Sequence, residues 1–217
     1  MKKLSFIFMA SLAFMMSLSI KNVNAQNNNV DKNGLRQGKW VAYHENGNVK
    51  FMGQFKDNEP YGEFMYYSPE GKMIAKGQYL NKNKDGKWQY YSDKDGSLIL
   101  TEDYHNGVLD GKTVVYMQGT DVVTEVTNYV NGIKQGEYTR NYDNGTLMVR
   151  ANYKDDALDG DYVYYYSNGV VKEEGRFAEG MKVGEWKTYD IEGNVISTDN
   201  HEEENYDDPE LKGVELN

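Results

Sequence analysis

Cysteine is absent from the 217 residues, and histidine and proline occur three times each. Without cysteine the fold has no disulfide staple, no thiolate nucleophile and no cysteine-linked lipid anchor. The histidines, His44, His105 and His201, share no metal-ligand spacing, so no metal site is expected. Cations are short as well, 24 Lys and Arg against 34 Asp and Glu. Nucleic acid and anionic lipid bind chiefly through excess Lys and Arg, which argues against both as partners. Phosphate- and calcium-binding loops are missing too. Gly107-Val108-Leu109-Asp110-Gly111-Lys112-Thr113 has one residue too few between its glycines, and Asn81–Ser92 lacks the closing glutamate of a calcium loop. No cofactor is expected, and no nucleophile–base constellation marks an enzyme.

Only one stretch is strongly apolar. Lys2 and Lys3 precede an uncharged run of 17 residues, Leu4–Ile20, and Val23-Asn24-Ala25 suits cleavage after Ala25. This predicts a secretory signal peptide over 1–25, an exported protein (periplasmic or extracellular), and no membrane insertion after cleavage. Residues 26–217 then hold 21 cations against 34 acids, a formal charge of −13. Residues 26–35 read as a flexible polar lead-in, and 199–217, with eight acids and one lysine, as a disordered acidic tail.

Between them lies a repeat. A glycine followed by an aromatic two residues on and a tyrosine five residues on (Tyr142, six on, in the fifth unit) recurs, with opening glycines Gly38, Gly62, Gly86, Gly111, Gly136, Gly160 and Gly184, spaced 24 or 25 residues apart. Each unit then turns, as at Asn46-Gly47, Asn144-Gly145 and Asn168-Gly169, and returns through a second aromatic, β-branched run. The pattern predicts strand, turn, strand, with Asn-Gly supplying the positive φ of a two-residue hairpin. The fold class expected over 36–198 is all-β. It is an elongated antiparallel meander of about seven β-hairpin repeats, fourteen strands in a single non-globular sheet. Alternation places the ring at +2 (counting the opening glycine as zero) and the tyrosine at +5 on opposite faces. Both rows are positioned to stack on their neighbours in the next hairpin.

Gly-x-aromatic, tyrosine at +5, Asn-Gly, and a return such as Gly53-Gln54-Phe55, Gly77-Gln78-Tyr79 or Gly175-Arg176-Phe177 together resemble the MORN repeat. The similarity is closest to the bacterial variant, some members of which are labelled antitoxin-like. The fourth unit departs from it, with Thr113 where the others carry a ring. The resemblance implies an elongated hairpin sheet that serves as a binding or assembly platform.

The expected function is therefore a non-enzymatic exported scaffold for protein–protein interaction or envelope assembly. Doubled and tripled tyrosines offer Tyr66, Tyr90, Tyr164 and Tyr166 as candidate binding aromatics. Two alternatives remain open: a glycan or cell-wall binder using those tyrosines, and an antitoxin-like inhibitor of a toxin partner.

Overall fold

The computed structural model describes residues 28–201. The expected leader 1–25 and the acidic end from 202 onward lie outside the described residues. The chain opens with β1 (Asn29–Val30), then β2 (Arg36–Tyr43), β3 (Val49–Lys56), β4 (Glu59–Tyr67), β5 (Met73–Leu80), β6 (Asn83–Tyr91) and β7 (Leu98–His105). It continues through β8 (Val108–Tyr116), β9 (Val123–Val130), β10 (Ile133–Asn141), β11 (Leu147–Lys154) and β12 (Ala157–Leu158). The last strands are β13 (Gly160–Tyr165), β14 (Val171–Ala178), β15 (Met181–Tyr189) and β16 (Val195–His201). All sixteen belong to one open antiparallel sheet in chain order, with β12 off the main path, pairing with β11 alone. The count exceeds fourteen for two reasons. β1 adds a strand from the polar stretch 26–35, pairing Asn29 with Gln37 and Val30 with Arg36. Repeat six enters as two pieces, β12 and β13, parted at Asp159.

The turns differ from expectation in an informative way. Asn46-Gly47 sits in a wider loop, closed by the His44 N–H donating to Asn48 O at 2.8 Å, and there only Gly47 has positive φ (86°). The two-residue turns join one repeat to the next instead. Asp57-Asn58 (52° and 68°), Asn106-Gly107 (49° and 87°) and Asp155-Asp156 (50° and 68°) have positive φ at both positions, which matches the twist of the flanking strands. Asparagine serves the wide loops through its side chain. The oxygens of Asn46, Asn144 and Asn168 accept the N–H two residues on (3.0–3.1 Å), while each amide group donates to a carbonyl of the following repeat. Tyr142 and Tyr166 extend this stitching, their hydroxyls donating to Tyr165 O (2.6 Å) and Tyr189 O (2.9 Å). Each hairpin is thus tied to its neighbour at the turns as well as along the strands.

Candidate functional site: the ring face

Directly opposed residues of an antiparallel pair share a face, so the register defines the two surfaces. Trp40 opposes Gly53, Phe64 opposes Gly77, and Tyr162 opposes Gly175. These positions, with the +4 residues and the return aromatics Phe55, Tyr79, Tyr104, Tyr153 and Phe177, make one aromatic face. The +5 tyrosines lie on the other, as expected. There they meet partners other than each other: Tyr67 reaches the Met65 sulfur, Tyr91 lies under Lys76, and the Tyr189 hydroxyl donates to Glu174 at 2.6 Å.

The ring face is a ladder with a rule. Phe64, Trp88 and Trp186 are the rings almost sealed from water (2%, 1% and 2% exposed). Each lies flat over the return glycine of the preceding repeat: Phe64 on Gly53, Trp88 on Gly77, Trp186 on Gly175. A Cβ built on any of those glycines falls inside the ring. Where the return position holds Glu102, Thr127 or Ala151, the next +2 residue is Thr113, Tyr138 or Tyr162, none of which is sealed from water as the rings over glycine are. Trp88 and Trp186 also donate their indole N–H to Gln78 O (3.1 Å) and Arg176 O (3.2 Å). Trp40, with no full hairpin before it, has a buried indole N–H without a partner. Edge contacts complete the ladder, Tyr79 to Trp88 at 5.2 Å and Phe177 to Trp186 at 5.1 Å.

Cations cover the rings two residues before alternate opening glycines. Arg36 lies over Phe55 (3.8 Å), Lys84 over Trp88 (4.6 Å) and Tyr104 (4.8 Å), Lys134 over Tyr153 (4.9 Å), and Lys182 over Trp186 (3.8 Å). The intervening repeats hold Pro60, Leu109 and Leu158 there. Around Lys84 the ladder gathers titratable groups. Its ammonium donates to the Tyr90 hydroxyl at 2.7 Å, and the Tyr104 hydroxyl donates to Glu102 at 2.8 Å. The periodicity did not reveal this cluster, because Lys84 and Glu102 differ from their counterparts in the neighbouring repeats.

The four candidate tyrosines are all engaged. Tyr66 stands among Phe51, Phe64 and Trp88, its hydroxyl 3.1 Å from that of Tyr79, and Tyr90 is held by Lys84. Tyr164 and Tyr166 share the ammonium of Lys172, at 4.9 and 5.5 Å. The seven opening glycines have one structural role. All have positive φ, between 64° and 122°. From the second repeat on they stand where the register to the preceding strand slips, as between Met52 and Gln54.

Burial leaves a pH signature on this face. Tyr104 and Tyr138 are both pushed up to about 12, first by burial and then by Glu102 and Glu125 respectively. Tyr66 and Tyr90 are raised as well, again chiefly by burial. A phenol with a higher pKa folded than unfolded contributes its full stability below its unfolded value, about 10, and loses it as pH rises through the folded value. Lys84 is shifted the opposite way, lowered by burial with Glu102 opposing, and partly offsets the phenols. Four raised phenols outweigh one lowered ammonium. Stability is therefore expected to hold to about pH 10 and fall between about pH 10 and 12, with tyrosinate absorbance rising together with loss of the β-sheet circular dichroism signal. Ordinary titration of these phenols in a still-folded sheet would contradict it.

Residues 36–57, 60–81, 134–155 and 158–179 each match the family described as the MORN repeat variant. No curated protein matches the chain. Each matched segment begins two residues before an opening glycine and runs into a two-residue turn, so a match covers one whole hairpin. The hairpins between and after them keep the same register, including the fourth with its exchanged ring. Four of the chain's hairpins thus match the MORN repeat in its variant form.

Proposed function

We propose that this protein is a non-enzymatic exported scaffold that holds another protein against its sheet, in an envelope assembly. MORN repeats generally serve as protein-interaction or scaffold modules. The observation that carries the reading is the single-layer sheet itself. Its ring face is covered by no second layer among the described residues, and Tyr66, Tyr90, Tyr138 and Tyr164 remain only half-buried. An aromatic surface of this kind suits a protein interface, where aromatic residues are enriched. Export rests on the leader read over residues 1–25. The test is photo-crosslinking in the producing cell from positions on the ring face, followed by fractionation. Discrete crosslinked partners in the exported fraction, and a mature N-terminus at Gln26, are the expected result. A partnerless monomer, or a protein kept inside with its leader intact, would sink the reading.

Binding to cell-wall glycan is the second reading. It is favoured by Tyr43 and Tyr61, exposed by 59% and 40% on the face opposite the ladder. Saturable, salt-insensitive co-sedimentation with isolated sacculi, lost on Tyr43→Ser with Tyr61→Ser, would support it; absence of retention would remove it.

A further inference from the structure

The two ends of the sheet are finished differently. At the first, β1 covers only the start of β2, and Asn28 continues the cover. Its side-chain amide donates to Val41 O (2.9 Å) while its oxygen accepts the Val41 N–H (2.7 Å). One side chain thereby replaces the pair of hydrogen bonds that a neighbouring strand would make. Asp31 folds the chain beside it, accepting the N–H groups of Asn33 and Leu35. Exposed strand edges invite pairing with other chains, and this end is blunted.

The far end has no such cover among the described residues. β16 pairs with β15 through Gly184↔His201, Trp186↔Asp199 and Thr188↔Ser197. Backbone direction alternates along a strand. Val41, one residue past Trp40, turns its N–H and C=O away from β3, and Lys187, one residue past Trp186, occupies the same place in its repeat. Its opposite number, Thr198, therefore turns its N–H and C=O outward from β15, and so does Asn200. The first six residues of β16 are exposed, Val195 by 53% and Ile196 by 62%. The edge thus offers free backbone groups flanked by two aliphatic side chains.

Charge says what belongs there. Residues 184–201 carry four acids against one lysine, and the sequence beyond them adds seven acids and one lysine, so 184–217 holds −9 of the −13 carried by residues 26–217. Most of the net charge of residues 26–217 therefore belongs to the last strand pair and the sequence that continues from it. A second copy would bring a second excess of acids and is disfavoured.

We infer that the edge of β16 accepts a cationic, extended segment of a partner protein as an added strand. Main-chain hydrogen bonds to Thr198 and Asn200 hold it, and the acidic end draws it in. The inference rests on the protein-binding reading above and narrows it to one edge and one partner chemistry.

The probe is a fluorescent eight-residue peptide alternating Lys with Val and Thr, beside its Glu-for-Lys counterpart and a version N-methylated at alternate residues. Anisotropy is read against the full protein at several salt concentrations. Saturable binding of the Lys peptide, weakened by salt and absent for the other two, is expected. Thr198→Pro removes one outward N–H without touching the ladder to β15, and is expected to weaken binding roughly tenfold. Equal binding of the N-methylated peptide would reduce the effect to bulk charge and overturn the inference, even if Thr198→Pro failed to fold. Undiminished binding by a folded Thr198→Pro protein would overturn it too. A dimer in sedimentation that Thr198→Pro dissociates would give the edge to a second copy, also overturning it. A crosslinked cellular partner that survives Thr198→Pro would keep the scaffold reading and remove only the edge.

Discussion

Replacing Trp88 by alanine is expected to cost about 3–5 kcal/mol, the largest effect of any single substitution in the sheet. Trp88 is the most completely buried large side chain among the described residues, 1% exposed, and it sits in the middle repeats. Its removal empties the space over Gly77, withdraws ring contacts from Tyr79 and Tyr66, and strips Lys84 of one of its three rings. Among the described residues no second layer exists to collapse into the void, because the core there is one side chain deep. In an array held by nearest-neighbour contacts, loss at the centre also uncouples the two halves. Denaturant unfolding should therefore become biphasic, and hydrogen exchange should quicken first in β5 to β8. A single sharp transition moved by less than about 1 kcal/mol would show that the ladder does not carry the stability assigned to it.

The second large effect is expected at Gly77, with a sign that residue propensities alone would get wrong. Gly77 lies in a strand without positive φ. Changing it to alanine should ordinarily stabilise, by about 0.4–1 kcal/mol, through a less flexible unfolded chain. The Trp88 ring occupies the position its Cβ would take, and the five- and six-membered rings cannot both move away without opening the ladder. Overpacking should win, at a cost of about 1–3 kcal/mol. The decisive measurement is a double-mutant cycle. In a Trp88→Ala background the clash is gone, so Gly77→Ala should become neutral or mildly stabilising, a strong coupling between contacting residues. Gly86→Ala supplies the contrast. Nothing lies within 4 Å of its added Cβ, and its cost comes from a φ of 68°, so deleting Trp88 should not rescue it. Identical costs for Gly77→Ala in both backgrounds would refute the steric account.

These two glycines show how far the sequence could be read. The opening glycines stood out because backbone conformation demands glycine at a fixed period, and a demand of that kind repeats in every unit. Return glycines such as Gly53, Gly77 and Gly175 were visible as residues, but their meaning lay 11 residues downstream, in the ring that covers each one. Linking the return position of one repeat to the +2 position of the next would have exposed the pairing of Glu102 with Thr113. Turn chemistry misled for a related reason. Asn-Gly is the strongest two-residue hairpin signal, and Asn106-Gly107 follows it, yet Asn46, Asn144 and Asn168 serve wider loops through side-chain hydrogen bonds, while Asp57-Asn58 and Asp155-Asp156 also make tight turns. The supernumerary tyrosines looked free because their partners come from other strands: Tyr79 for Tyr66, Lys84 for Tyr90, Lys172 for Tyr164 and Tyr166.

Period, strand direction and the division into two faces were determined by the sequence alone, since each follows from local geometry that every repeat must satisfy. Seven units of nearly equal length with alternating apolar positions leave one way to lie side by side. What only the tertiary structure decided are the properties set between repeats and at the ends. The register slip at Gly62, Gly86 and Gly184 brings a ring onto the preceding repeat's glycine, and at Gly86 and Gly184 a lysine lies over that ring. The unequal finish of the two edges depends on Asn28 reaching Val41, thirteen residues away, while Thr198 faces outward. Such contacts join positions that no single repeat contains, so periodicity carries no trace of them.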